Sequence, residues 1–188
     1  MTVGEALAAI RSGRIVGMPT DTVYGLAVDP FNEAAVGALY ELKGRPSDKP
    51  LGLLVASAAE ALTLIELPPW AVDLGSAHWP GALTLVAPPR VVFPDWVGHP
   101  RTRTVGVRVP DHDVARSFLE AAGPLAVTSA NRSGGAECLS DGEARELFRD
   151  LVAGYLAGSC PGGAGSTVID ASGVSPVVLR AGPIRGDR

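Results

Sequence analysis

The segment "ELKGRPSDKPLGLLV", residues 41–55, contains both lysines of the chain, Lys43 and Lys49, with Arg45 between them, and the other fourteen basic residues are all arginine. Arg45 offers a planar fork matched to phosphate oxygens, and the two ammonium groups act as compact point charges. The trio therefore suits a polyphosphate better than a single carboxylate. A solvated basic loop is the other reading of three charges on a connection. A second stretch, "AVTSANRSGG", ends an apolar run with the hydroxyls of Thr128, Ser129 and Ser133 and the amide of Asn131. Its glycines let a ligand approach the backbone, so it reads as a phosphate or nucleobase edge, or as a polar turn.

Further candidates lie at strand ends. In "PTDTVYGLAVDP", Thr20 and Thr22 flank Asp21, a carboxylate suited to magnesium, to an ammonium group or to capping a turn. "RTRTVGVRVPDH" contributes Arg101, Arg103 and Arg108. Arg108 alternates with Val107 and Val109, so it projects from the opposite sheet face, where it suits a bidentate carboxylate or an edge salt bridge. Ser166 and Arg180 sit at the ends of "STVIDAS" and "VVLRAG". His78, His99 and His112 lack metal spacing and read as structural or surface residues. Cys138 and Cys160 lack paired-ligand spacing and read as reduced thiols, so no protein metal site is expected. "CPGGAGS" has neither the lysine nor the spacing of a phosphate-cradling loop.

The elements that must position these groups follow from periodicity and punctuation. Helices are expected over "VGEALAAIRSG" with a stop at Gly13, "NEAAVGALYELK" with an Asn cap and a stop at Gly44, "SAAEALTLIE", "PWAVDLGSAH", "DVARSFLEAA" and "DGEARELFRDLVAGYL". Strands are expected in "RIVGMP", "VYGLAVDP", "LGLLVA", "LTLVAP", "TVGVRVP", "PLAVTSA", "STVIDAS" and "PVVLRAG". Lys43 to Lys49 then fall on a connecting loop. This order predicts a layered α/β (α+β) domain with a twisted, mixed β-sheet flanked by helices, because some neighbouring strands are joined by very short turns.

At 188 residues with 46% hydrophobic content, one domain over residues 1–188 is expected. No apolar run approaches the roughly 18 residues that span a bilayer, and the amino-terminal stretch lacks a signal-like pattern. The expectation is a soluble cytoplasmic protein with no membrane contact. A net charge of −4 argues against broad nucleic-acid binding.

Taken in order, "PTDTVYGLAVDP", "LKGRPSDKPL", "WPGALTLV", "VGVRVPDH", "TSANRSG", "STVIDAS" and "VLRAGPI" resemble the YrdC/Sua5 family of threonylcarbamoyl-AMP synthases, from about Gly13 to Ile184. The family signature, Lys-x-Arg with Ser-x-Asn, is carried by Lys43, Arg45, Ser129 and Asn131. The resemblance implies a YrdC/RibB-like fold with a concave basic cleft. It implies a reaction of L-threonine, bicarbonate and ATP that gives threonylcarbamoyl-AMP and pyrophosphate for the t6A group at position 37 of tRNA. It further implies catalytic roles for the four signature residues and ATP contacts from Lys43, Arg45, Lys49, Thr104, Ser129, Asn131 and Arg180. Threonine contacts fall to Thr20, Thr22, Arg108, Val127 and Ser166.

Mg2+ is expected to arrive with ATP, and the product to pass to a threonylcarbamoyl transferase complex, with a possible weak tRNA contact. Asp21 stands where relatives commonly have Glu, Ala82 where they often have Pro, and Leu54 where longer relatives have a His near threonine. The short chain suggests the single-domain form. The competing readings are another carbamoyl-adenylate chemistry, as in the related domain of hydrogenase-maturation proteins, and a non-catalytic RNA-binding module.

Overall fold

Capping residues set the helix boundaries. In the computed structural model, which describes residues 1–44 and 49–184, Thr2 opens α1 (Val3–Arg11). Its hydroxyl accepts from the Glu5 amide at 3.3 Å while the Glu5 carboxylate accepts from the Thr2 amide at 2.7 Å. Two of the donors that a helix start leaves open are thereby satisfied. Asn32 caps α2 (Glu33–Lys43) by accepting from the Ala35 amide at 3.0 Å, and Gly44, left-handed at φ 61°, ends it. Both signals match expectation. Lys43 is nevertheless the last residue of the helix and not part of the connection that follows. Arg45 lies outside the described residues.

The strands are β1 (Val16–Met18), β2 (Gly25–Val28), β3 (Gly52–Leu54), β4 (Leu83–Ala87), β5 (Val105–Arg108), β6 (Leu125–Ser129), β7 (Gly154–Tyr155), β8 (Thr167–Asp170) and β9 (Val177–Arg180). The remaining helices are α3 (Ala58–Leu64), α4 (Pro69–His78), α5 (Asp113–Ala122) and α6 (Asp141–Phe148). Among the described residues the strands form one mixed sheet in the order β7-β1-β2-β6-β3-β5-β4-β8-β9. The β1–β7, β3–β5 and β4–β8 pairs are parallel, and the others are antiparallel. The expected mixed sheet flanked by helices is therefore present.

One expected element differs. The helix over "DGEARELFRDLVAGYL" stops at Phe148, where Arg149 takes a positive φ of 46°, and a 3-10 turn (Arg149–Leu151) leads into β7. There Gly154 and Tyr155 pair with Val16 and Gly17. A short apolar run can complete either a helix or a strand, and pairing with β1 decides it here.

Strand alternation divides the core. Leu26, Val28, Leu53, Leu83, Leu85, Val105, Val107 and Ile169 point to one face, which carries α2, α3, α4 and α6. On the opposite face Met18, Ala27, Leu54 and Leu125 pack against α1 and α5 through Ala6, Ile10, Phe118 and Leu119. Each fully buried large apolar side chain stabilises by about 1.5–3 kcal/mol. The second layer covers only part of its face, and the uncovered part holds the site.

Candidate active site

A cleft of about 490 Å³ lies on that uncovered face. Its floor is built from the strand positions that alternate with the buried ones: Gly52 on β3, Gly106 on β5, Thr84 and Val86 on β4, and Val127 on β6. Gly52 and Gly106 leave bare backbone at the centre. A Cβ at Gly52 would meet only the Gly106 carbonyl oxygen, at 3.8 Å.

Arg108, at the end of β5, dominates one side. Its Nε donates to the Gly81 carbonyl at 3.0 Å, Nη1 to Thr22 Oγ1 at 2.9 Å, and Nη2 to Asp21 Oδ1 at 2.5 Å. The Arg108 side chain is 7% exposed and that of Asp21 15%. Burial pushes the guanidinium below its ordinary range, the Asp21 carboxylate opposes that shift, and Arg180 adds to it. Two cationic forks therefore sense one another across the cleft. Thr20 donates its one hydroxyl proton to the Val23 carbonyl at 2.7 Å, and its oxygen lies 3.0 Å from that of Thr22. Thr22 must then donate to Thr20 while accepting from Arg108. Of the five N–H donors of a guanidinium, three are engaged, and two have no partner among the described residues.

Arg180 approaches from β9. Its Nε donates to the Ser166 carbonyl and its Nη2 to Ser166 Oγ, both at 3.0 Å. Ser166 Oγ lies 2.7 Å from Thr84 Oγ1. Gly182 makes this approach possible, because a Cβ there would fall 2.4 Å from the Thr167 nitrogen and 2.7 Å from the Gly165 oxygen. Thr104, which lines the cleft at the start of β5, has its neighbour Thr102 at 2.7 Å, hydroxyl to hydroxyl.

The Ser-x-Asn segment is tied to the end of α2. Lys43, only 3% exposed, donates from Nζ to the carbonyls of Ser129 and Asn131, the latter at 2.9 Å, and to Asn131 Oδ1 at 2.8 Å. The Ser133 amide donates to the Lys43 carbonyl, and Arg132 donates to that of Leu42. Asn131 also accepts from Ser129 Oγ at 2.9 Å and donates from Nδ2 to the Gly135 carbonyl at 2.8 Å. The lysine expected to act as a point charge toward phosphate is thus held inside the fold, and Asn131 Oδ1 and one Nδ2 proton are taken up by protein partners. Ser129 faces the cleft, whereas Lys43 and Asn131 are not among its lining residues. Lys49 has an exposed side chain, and its carbonyl accepts from Tyr40 at 2.7 Å.

Thr20, Thr22, Thr104, Arg108, Val127, Ser129, Ser166 and Arg180 therefore converge on one cleft. Thr84, Thr102, Glu137 and Asp170 also line it and escaped the sequence reading. Thr84 carried a usable signal, since it alternates with Leu83 and Leu85 as Arg108 does with its valines. Among the described residues no group of three His, Cys, Asp or Glu is placed to hold a metal ion.

The family model Sua5_yciO_yrdC, described as "Telomere recombination", matches residues 8–182. A Mycobacterium tuberculosis protein provisionally named threonylcarbamoyl-AMP synthase is 44% identical over 188 residues, covering 98% of this chain and 85% of that protein. The threonylcarbamoyl-AMP synthase of Bacillus subtilis is 38% identical, over 97% of this chain and 54% of its own length. The structure of Pyrococcus abyssi Sua5 complexed with L-threonine superposes with a TM-score of 0.88 at 38% identity, over 95% of this chain and 53% of that one. The chain thus spans about half the length of the latter two. With three of the signature residues, Lys43, Ser129 and Asn131, joined in one unit and a match running through nearly all of the elements above, the chain belongs to the Sua5/YciO/YrdC family.

Proposed function

We propose that this chain, acting as one domain, is a threonylcarbamoyl-AMP synthase. As a nucleotidyltransferase it condenses L-threonine, bicarbonate and ATP to threonylcarbamoyl-AMP and pyrophosphate for t6A formation in tRNA. The observation that carries the reading is the convergence in one cleft of two guanidinium forks, Arg108 and Arg180, with the hydroxyls of Thr22, Thr104, Ser129 and Ser166. The names of the relatives and the threonine bound by the Pyrococcus protein support it.

In this reading the two open N–H donors of Arg108 take the threonine carboxylate, with Thr20, Thr22, Ser166 and the Val127 backbone around it. Thr104, Ser129 and Arg180 face the nucleotide, joined by Arg45 and Lys49. Lys43 and Asn131 serve by fixing Ser129. The threonine amine captures bicarbonate to give a carbamate and water, the carbamate oxygen attacks the α-phosphorus, and pyrophosphate departs. Joining three small reactants requires positioning and charge neutralisation more than a protein nucleophile.

Magnesium would supply further neutralisation of phosphate charge. Glu137 and Asp170 line the cleft near strands that lie four apart in the sheet, so either one alone would supply a carboxylate to an ion held mainly by substrate phosphates and water. The adenylate would pass in the cytoplasm to a threonylcarbamoyl transferase complex, with at most a weak tRNA contact by this chain. Among the described residues no helix is long and apolar enough to cross a membrane. The test is pyrophosphate release with each reactant omitted in turn. Release should require ATP, L-threonine and bicarbonate together, and release independent of threonine would overturn the reading.

A further inference from the structure

Ser166 Oγ has one proton and two lone pairs. One lone pair accepts from Arg180 Nη2 at 3.0 Å, and Thr84 Oγ1 stands 2.7 Å away, so either hydroxyl can be the donor between them. The direction matters to a ligand. If Ser166 donates to Thr84, it has no proton left for the cleft. If Thr84 donates to Ser166, both lone pairs are used and the Ser166 proton is available to an anion. A carboxylate beside Ser166 selects the second arrangement, and donation along such a chain polarises each successive bond. Thr84 has the means to do this, since it lines the cleft on β4 and Ser166 immediately precedes β8, the parallel neighbour of β4.

We propose that Thr84 is a positioning residue that presents the Ser166 hydroxyl as a donor to the amino-acid carboxylate. The proposal rests on the reading that threonine lies against Ser166. Thr84 acts through Ser166 alone and also keeps that side chain seated on Arg180. A valine methyl in place of Oγ1 would stand too close to Ser166 Oγ for an apolar contact, so Thr84→Val would both remove the bond and displace the hydroxyl. Thr84→Ser would preserve both.

The test is calorimetric titration of L-threonine, and separately of ATP, into the wild-type chain, Thr84→Val, Thr84→Ser, Ser166→Ala and the Thr84→Val, Ser166→Ala double variant. Thr84→Val should weaken threonine binding about tenfold, as expected for one hydrogen bond to a charged group. ATP binding should change less than about twofold, because the Arg180 bond to the Ser166 carbonyl remains. Thr84→Ser should bind as the wild type does, and the double variant should bind no more weakly than Ser166→Ala. Wild-type affinity in Thr84→Val, failure of Thr84→Ser to restore binding, or additive losses would each overturn the proposal. If Thr84→Val fails to fold, Thr84→Ala replaces it; it leaves the Ser166 side chain less firmly seated without a clash, so its threonine affinity should lie below that of Thr84→Ser, and equal affinity of the two would overturn the proposal. Absence of threonine binding by the wild-type chain would instead overturn the proposed function, and this inference with it.

Discussion

Arg108 carries two duties at the residue scale, and they separate experimentally. It neutralises a half-buried Asp21 and lines the cleft, where two of its N–H donors are not engaged by the described residues. Arg108→Gln strands that carboxylate, so unfolding free energy should fall by about 3 kcal/mol in urea titrations. Lost bidentate pairing should at the same time raise the threonine KM about tenfold or more, with a far smaller change for ATP. Equal losses for both substrates would argue against a carboxylate clamp. The signature pair divides differently. Asn131 makes three amide side-chain bonds, to Lys43, Ser129 and Gly135, so Asn131→Ala should destabilise the free protein by about 2–4 kcal/mol. Ser129→Ala should cost about 1 kcal/mol or less and register mainly as weaker ATP binding. Thermal unfolding beside calorimetry distinguishes the two. The thiols of Cys138 and Cys160 are pushed up chiefly by burial, so at pH 8 they stay protonated. Neither should react with a disulfide reagent at that pH until the protein unfolds.

The C-terminal β8–β9 hairpin is the element that places Arg180. Past β9 the chain turns back onto β8, with the Ile184 amide donating to Thr167 Oγ1 at 2.9 Å and Thr167 Oγ1 donating to the Ile184 carbonyl at 2.8 Å. Gly182 is needed for that return because backbone atoms occupy the space of any side chain. Gly182→Ala should therefore lower activity at least about tenfold through a displaced Arg180, while α1 and α2 retain their amide-exchange protection. Uniform loss of protection would contradict a local role. Elements of this kind were legible in the sequence wherever the signal was local. The Asn32 cap, the Gly44 stop and the alternation around Arg108 all correspond to observed features. Local signals failed where partners are distant. The burial of Lys43 depends on carbonyls 86 and 88 residues away, and β7 depends on pairing with β1. Nothing near Lys43 in the chain distinguishes a buried ammonium from a solvated one at a helix end.

At the scale of the whole molecule, an asymmetrically covered sheet creates the cleft. Four helices seal one face, α1 and α5 seal part of the other, and the strands left bare display Thr84, Gly106, Arg108, Val127 and Ser129 together. Groups from β2, β3, β4, β5, β6, β8 and β9 meet there, which suits a reaction that needs three reactants aligned. The most direct test of the central claim is mass spectrometry of the products made with 13C-labelled bicarbonate. A threonine adduct of AMP carrying one labelled carbon, formed in equal amount with pyrophosphate, is the predicted result. Pyrophosphate without that labelled adenylate would contradict the account.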